Sequence, residues 1–527
     1  MERNRVTRRH VLKLGTTAAL SAAVTPFVSS AARPLSSVKD NVFASPPRDP
    51  GIPPGSDSEI CFMNATDMAA LIRQKNLSAR EVMQAHLRQI ERVNPKVNAI
   101  VTLVPQDQLM AQARAADEAL ATGKVLGPLH GLPVGVKDLT ETKGIRTTYG
   151  SPLFKDYVPD HDALVVERMK NAGAILVGKT NSPEFGMGSQ TFNPVFGPTL
   201  NPYDVTKTCG GSTGGGAVAL ACGMVPIANG SDMGGSLRNP ASFCNVVGIR
   251  PSPGRVPNDS YARLGWFTLS VLGPMARNVT DCALLLSVLA GFDRRSPIAI
   301  DQPGGQFAQP LGGRSFKGVR VAMIKDLGLP WERAVKNAID AQRKVFESLG
   351  CIVEEAEPDM RDANECFVAW RHWAFELSLG ERVDAHPDKV NSYGHWHVEK
   401  GRKLAGPYLS RIEAKRTALY QRMRQFMEKY DFLIMPVNQV LPFDVSTHYP
   451  TEIAGVKMEN YIAWMKSAYY ISAVGNPAIS VPCAFSDSGL PIGIQIVGRH
   501  NDDRGVLQMG YAFEQATKIG KRRPGVA

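Results

Sequence analysis

The stretch from Cys209 to Pro240, CGGSTGGGAVALACGMVPIANGSDMGGSLRNP, contains two glycine-rich loops, each with a serine beside consecutive glycines. The first loop holds Ser212 and the second holds Ser236. Glycine loses more backbone freedom on folding than any other residue, so such clusters cost stability unless the backbone requires them. Between the loops, the apolar residues predict a short helix that ends at Gly223, followed by a short strand over residues 224–228.

The lengths of these two elements predict where the serines lie. A helix of about nine residues spans roughly 14 Å. A strand of about five residues spans roughly 16 Å. A chain that runs out along the helix and back along the strand returns the second loop to the end where the first loop lies. We therefore expect Ser212 and Ser236 to be neighbours in space.

A lysine is expected at the same place. Residues 131–139, GLPVGVKDL, read as a short apolar strand that runs into Lys137. Burial removes the hydration that favours the charged amine, and it lowers a lysine pKa by up to roughly 3–5 units. A neutral lysine is a competent general base. Because a hydroxyl both donates and accepts a hydrogen bond, Ser212 can pass a proton from Ser236 to Lys137.

The second glycine-rich loop also offers backbone donors. A developing oxyanion is stabilised by preorganised N–H groups, and glycine lets a carbonyl approach the backbone closely. We expect these donors from the three residues before Ser236, which are Met233, Gly234 and Gly235. We expect Asp232 and Arg238 to brace this loop through hydrogen bonds rather than to take part in catalysis.

Two familiar patterns occur in contexts that argue against them. Residues 173–180, GAILVGKT, fit a phosphate-binding loop, but the four residues between the glycines are typical of a buried strand, which predicts a core strand over Ala174–Val177 and then a polar turn. Residues 210–214 fit the G-x-S-x-G nucleophile elbow, but the segment before them is polar and turn-like. No histidine has a context that marks it as the base. An esterase of the α/β-hydrolase type remains an alternative.

Four motifs together resemble the amidase signature family of serine hydrolases. They are GVKDL (135–139), GKTNSPEFG (178–186), GGSTGGG (210–216) and GSDMGGSLRNPASFCNVVGIRPSPGRV (230–256). The resemblance extends over roughly residues 58–517. It implies that Lys137 is the base, that Ser212 is a bridging serine after a cis peptide bond, and that Ser236 is the nucleophile that forms the acyl-enzyme. Thr213 stands where the family commonly has serine, and it keeps the hydroxyl.

The resemblance also implies the fold and the activity. Strands and helices alternate without a linker-like break, which predicts one large α/β domain with a mixed, mostly parallel-containing sheet covered by helices on both faces. The implied activity is hydrolysis of a carboxylic amide to an acid plus ammonia or an amine, with aryl amides or esters as further candidate substrates. No metal and no organic cofactor are expected. The glutaminase subunit of a tRNA-dependent amidotransferase is an alternative from the same family.

Composition restricts the partners. The chain has 527 residues, 43% hydrophobic and 21% charged, which is typical of a globular protein. Much of the net charge of +11 comes from residues 1–34, and no cluster of basic residues interleaved with aromatics follows, so no nucleic-acid partner is expected. Eight cysteines lie mostly in apolar runs and are expected to be buried free thiols. A small amide is the expected partner, and a homodimer is left open.

The beginning of the chain resembles an export signal. Arg8 and Arg9 directly precede a moderately apolar run over residues 11–28, which ends in small residues. This pattern predicts a twin-arginine-type signal over residues 1–32, a periplasmic location and no stable membrane insertion after cleavage. A linker is expected over residues 33–57 and the hydrolase domain over residues 58–520.

Several further elements are predicted by periodicity and capping. Ser78 and Glu81 form a capping box for a helix that is expected to end before Pro95. Strands are expected at 431–436, 478–485 and 490–498, and a closing helix at about 504–517. Residues 359–466 are expected to be less regular, helical and on the substrate side. Their aromatic residues, at helical spacing, are more typical of a core than of a pocket.

Overall fold

The computed structural model describes residues 55–259 and 264–527, and within them strands and helices alternate along the chain. The predicted export signal and residues 33–54 of the predicted linker lie outside the described residues. The described part forms one large α/β domain built on an eleven-stranded mixed sheet. The predicted fold class is therefore confirmed.

Fifteen α-helices lie in the described residues. In chain order they are α1 (Asp57–Phe62), α2 (Ala65–Arg73), α3 (Ala79–Val97), α4 (Gln106–Ala121), α5 (Leu164–Asn171), α6 (Gly214–Ala221), α7 (Arg238–Phe243), α8 (Val279–Leu289), α9 (Arg333–Asp340), α10 (Arg343–Ser348), α11 (Ala363–Ala385), α12 (Ser392–Arg402), α13 (Gly406–Lys429), α14 (Lys466–Val474) and α15 (Asp503–Thr517). In this described part, no helix combines the length and the apolar composition needed to cross a bilayer.

The strands follow the same numbering. They are β1 (Ile100–Leu103), β2 (Pro133–Lys137), β3 (Ile175–Thr180), β4 (Ile227–Asp232), β5 (Val247–Arg250), β6 (Val271–Ala276), β7 (Arg320–Met323), β8 (Ile352–Glu355), β9 (Phe432–Pro436), β10 (Glu452–Ile453), β11 (Val456–Lys457), β12 (Ala478–Phe485) and β13 (Pro491–Val497). The large sheet has the order β1-β3-β2-β4-β6-β5-β12-β13-β9-β7-β8, and β10 pairs with β11.

Parallel pairs occur in two groups within the sheet. Strands β3, β2 and β4 run parallel, and so do β9, β7 and β8. The strands between these groups pair antiparallel, as does β1 at one edge. Every residue of β2, β3 and β4 is buried, as expected for strands covered on both faces.

Strand β3 lies where a core strand was predicted, but it is longer than predicted. The phosphate-loop-like segment is a buried strand, but the strand runs from Ile175 to Thr180 and includes the expected polar turn. Lys179 is tolerated inside it because its amine bonds the carbonyl oxygen of Thr140 and lies 3.0 Å from Thr142 Oγ1. A buried amine is acceptable when its donors find acceptors.

Two element boundaries differ from the sequence-based expectation. The capping box of α3 is present, but the helix continues through Pro95 to Val97, so the expected end is wrong. Strand β4 begins at Ile227 and extends to Asp232, later than expected. Pairing with β6 along its whole length supplies backbone partners for its polar residues, which local sequence does not reveal. Strands β9, β12 and β13 and helix α15 lie where they were predicted.

Residues 363–429 are largely three helices, and several aromatic side chains of residues 363–470 are buried. Phe367, Trp464 and Tyr469 are buried in one hydrophobic cluster with Tyr461. The expectation that this region's aromatics are mainly core is therefore confirmed for these four. All eight cysteines are free and buried.

Helix α6 packs so closely on the sheet that position 215 has no room for a side chain. A Cβ at Gly215 would lie 2.3 Å from the backbone nitrogen of Asn181 and 2.5 Å from the carbonyl oxygen of Ala99. Both atoms are backbone, so neither can rotate away. The glycine run after Ser212 thus allows a helix to contact the ends of two neighbouring segments and sets the position of the serine loop.

We expect Gly215→Ala to lower the free energy of unfolding by about 1–3 kcal/mol, because it overpacks a backbone contact. Gly510→Ala, on α15, is the matched control, since a Cβ there meets only side chains at 3.4 Å. That change should be neutral or should stabilise by up to about 1 kcal/mol through helix propensity. Urea unfolding followed by circular dichroism measures both, and equal effects would contradict the packing argument.

Candidate active site

The centre of the candidate site is the amine of Lys137, the last residue of β2. The side chain is fully buried, and its Nζ lies 2.7 Å from Ser212 Oγ. Nζ also lies 3.0 Å from Thr213 Oγ1 and 3.0 Å from Ser231 Oγ. Three hydroxyls from two different segments, the first serine loop and β4, therefore converge on one nitrogen. The structure brings Lys137 and Ser212 together, as the sequence predicts.

Burial controls the charge of this lysine. It lowers the pKa of Lys137 to about 7, although the Asp232 carboxylate acts in the opposite direction. The partners that contact the amine are neutral hydroxyls, which accept from an ammonium and donate to a neutral amine equally well. A substantial fraction of Lys137 is therefore neutral near pH 7 and able to take up a proton.

Ser236 lies on the second glycine-rich loop, directly after β4. It is 7% exposed, and its carbonyl oxygen accepts a hydrogen bond from the Thr213 N–H at 3.2 Å. This bond ties the two serine loops together through their backbones. Among the described residues, however, no hydrogen bond joins the hydroxyls of Ser212 and Ser236. The peptide bond between Gly211 and Ser212 is cis, as the resemblance implies. The proton relay from Ser236 stays a prediction.

An ion network holds the second loop. The carboxylate of Asp232 accepts from Arg238 at 2.9 and 3.0 Å and lies 3.2 Å from Nη1 of Arg250, with all three side chains fully buried. It also accepts the backbone N–H groups of Gly235 and Leu237, at 2.9 and 3.1 Å. Burial raises the pKa of Asp232, but the two guanidinium groups and these donors outweigh burial and lower it far below its usual value. The carboxylate is ionised and braces the loop, as expected.

The same network revises the expected oxyanion donors. Because the Gly235 N–H donates to Asp232, it is not directed at a substrate in this structure. The N–H of Gly234 has no hydrogen-bond partner among the described residues, and the prediction for Met233 and Gly234 stands as a prediction. A Cβ on Gly234 would lie 3.0 Å from the end of the Phe367 ring and 3.1 Å from the end of the Met465 side chain, so the loop passes tightly beneath α11.

Sequence reasoning missed part of the lysine's environment. Ser231 was not singled out, although it lies two residues from Asn229 on β4. Residues two apart on a strand share a face. Asn229 Oδ1 accepts a hydrogen bond from the backbone N–H of Lys137 at 3.1 Å. The period-two alternation within NGSD was the signal that could have identified Ser231. It could not be used because the strand was expected to end before this segment.

Metal ligation finds no support in the described part of the chain, where no group of three or more His, Cys, Asp or Glu side chains is placed to hold an ion. No hydrogen bond among the described residues joins a histidine to Lys137, Ser212 or Ser236. His372 on α11 contacts His397 on α12, and His500 contacts Tyr420. The site as it stands can transfer protons between an amine and hydroxyls.

Comparison with known proteins finds similar proteins over most of the chain. The model of a family described as Amidase matches residues 81–507. A curated relative from Alkaliphilus metalliredigens, a subunit of glutamyl-tRNA(Gln) amidotransferase, is 35% identical over 86% of this chain and 96% of its own. An acylamidase from Rhodococcus erythropolis is 33% identical over 89% of this chain and 98% of its own.

A solved structure is similar over the same extent. It is a bacterial aryl acylamidase described as belonging to the amidase signature enzymes. It superimposes with a TM-score of 0.81 at 28% identity and covers 88% of this chain and 99% of its own. The likeness therefore extends over most of the chain rather than over a single motif.

We expect turnover that uses Lys137 as a base to rise with pH through about 7, because only the neutral amine accepts a proton. Below that pH, kcat/KM should fall by about tenfold per unit, since protonation of one group removes the base. The measurement is a kcat/KM profile, with circular dichroism at each pH to show that the fold persists. A flat profile, or a limb near the ordinary lysine pKa, would contradict the assignment.

Proposed function

This chain belongs to the amidase signature family, and we propose that it hydrolyses a carboxylic amide through an acyl-enzyme on Ser236. The observation that supports this role most directly is the fully buried Lys137 amine, 2.7 Å from Ser212 Oγ. Such an amine is a base at neutral pH, and Ser212 belongs to the loop whose backbone bonds Ser236.

The proposed reaction needs only groups of this chain and water. Ser236 Oγ attacks the amide carbon while its proton passes to Ser212, whose own proton passes to Lys137. The carbonyl oxygen gains the negative charge and is stabilised by the N–H groups before Ser236. Collapse of this intermediate breaks the C–N bond, and the proton held by Lys137 returns through Ser212 to the leaving nitrogen. Water then attacks the ester carbon while its proton passes through Ser212 to Lys137, and the acid is released as that proton returns through Ser212 to Ser236 Oγ.

The substrate class extends this proposal. The acylamidase and aryl acylamidase names of similar proteins support tests of aryl amides beside aliphatic amides and esters. The buried aromatic residues of 363–470 pack mainly against one another, so they supply no separate argument for an aryl substrate.

A second candidate is the glutaminase subunit of a tRNA-dependent amidotransferase. The 35% identity to a subunit of such an enzyme favours it. The twin-arginine pattern before the domain argues against it, because export would separate the protein from cytosolic tRNA. The two candidates differ in one measurable property, since a stand-alone amidase needs no partner protein for turnover.

We expect the purified chain alone to hydrolyse simple amides and to react with a fluorophosphonate at Ser236. Ser236→Ala should abolish both, and Lys137→Met should lose nearly all turnover while it remains folded, because the base is gone. Ser410→Ala, at an exposed position on α13, is the control and should react as the wild type does. Labelling at another serine, or glutamine hydrolysis only with an added partner protein, would contradict the proposal.

We further propose that residues 1–32 direct export to the periplasm in the folded state. Replacement of Arg8 and Arg9 by lysine should retain the protein in the cytoplasm, because the signal depends on the arginine pair. Replacement of Arg3 and Arg5 by lysine is the matched control and should leave export intact. Fractionation with mass spectrometry of the exported form, expected to begin near residue 32, measures both. Equal export of the two double variants would overturn the signal.

A further inference from the structure

Arg371, on α11, is a buried cation whose partners are all uncharged. The residue is 3% exposed, and within the described part of the chain it forms no ion pair. The other deeply buried arginines near the site, Arg238 and Arg250, both contact Asp232. A buried charge is costly unless an opposite charge or a full set of hydrogen bonds compensates it. The proposed mechanism does not use Arg371.

The hydrogen bonds of Arg371 each involve a different neutral acceptor. Its Nε donates to His397 Nε2 at 3.2 Å, and its Nη2 donates to the Tyr461 hydroxyl at 3.0 Å. Its Nη1 is 3.2 Å from the thioether sulfur of Met233. The guanidinium also lies over the ring of Phe375, at 4.7 Å from the centroid. Three of five donor hydrogens are thus engaged, and one of the acceptors, the thioether, is weak.

The neighbouring histidines are neutral, so the cluster carries one uncompensated positive charge. Because Arg371 Nε always donates, His397 Nε2 accepts, and the ring proton lies on Nδ1, which donates to His372 Nδ1 at 2.9 Å. Burial and the nearby guanidinium lower the pKa of His397 well below its ordinary value. The same two causes lower the pKa of His372 to about 4.

This cluster borders the candidate active site on two sides. Met233 follows β4 directly and precedes Ser236 by three residues, within the loop that carries the nucleophile. On the other side, a Cβ at Gly188 would contact the Tyr461 ring at 3.6 Å. A Cβ at Gly186, two residues earlier, would lie 3.4 Å from Ser212 Oγ. One short segment therefore contacts both the first serine loop and the Tyr461 end of the cluster.

We propose that Arg371 binds a carboxylate of the substrate, so that the preferred substrates are amides that carry a carboxylate group. This inference rests on the proposed amidase function. The planar guanidinium matches a carboxylate with two parallel hydrogen bonds. The Met233 thioether is the partner to be displaced, because its side chain is only partly buried, flexible and a weak acceptor. His397 and Tyr461 keep the guanidinium oriented.

The test compares pairs of amides that differ only in this charge. Suitable pairs are succinamate with succinamide, glutaramate with glutaramide, and 4-acetamidobenzoate with 4-acetamidobenzamide. Wild type should show a higher kcat/KM for the charged member of at least one pair, mainly through a lower KM. Arg371→Met should reduce that preference by roughly tenfold to a hundredfold, the range for hydrogen bonds to charged groups.

The control variant is Arg382→Met, which removes a cation from the same helix at an exposed position and should leave the preference intact. If Arg371→Met does not fold, Arg371→Lys keeps the charge without the planar fork and should lower the preference. Wild type without preference for any charged member, or an unchanged preference in a folded Arg371 variant, overturns the inference. Ser236-dependent hydrolysis of neutral amides in that case would leave the proposed function standing.

Discussion

The rest of the site depends on one buried amine surrounded by hydroxyls. Lys137 reaches Ser212, Thr213 and Ser231 from the end of β2, where the contacting groups are neutral and do little to stabilise its charge. Its low pKa is therefore a consequence of the fold, since the packed sheet and serine loop bury the side chain completely. The close packing of α6, which requires glycine at 215, holds the first serine loop against this amine. If β2 or α6 packed less closely, water would reach the amine and the pKa of Lys137 would rise toward its ordinary value.

The two kinds of buried arginine near the site illustrate how charge is compensated. Arg238 and Arg250 share the carboxylate of Asp232, and this carboxylate in turn orders the loop that carries Ser236 by accepting two of its backbone N–H groups. Within the described residues, Arg371 has neutral partners alone, and one of them is a thioether. A compensated cation stabilises the loop, whereas an uncompensated one is suited to a ligand that brings the missing charge. This contrast in environment distinguishes bracing residues from a substrate-binding one.

The sequence was sufficient for the fold class, the family and the neighbourhood of Lys137 and Ser212, because these follow from local apolar patterns and closely spaced motifs. It was insufficient where pairing across the sheet decides the outcome. The extension of β4 through Ser231 depends on β6, which lies much later in the chain, and the Gly235 N–H is occupied by a carboxylate that was expected only to brace the loop. The helix that continues through Pro95 likewise departs from a local rule.

By itself, the amino-acid sequence determined that two serine loops and a lysine lie at one end of a buried α/β sheet, because helix and strand lengths and apolar periodicity act over short distances. Only the tertiary structure decided which hydroxyls contact the amine, which N–H groups are already occupied, and that Arg371 is buried beside Met233 with neutral partners. Those properties belong to side chains that are far apart in the chain. Their partners, burial and pKa values exist only once the layers have packed together.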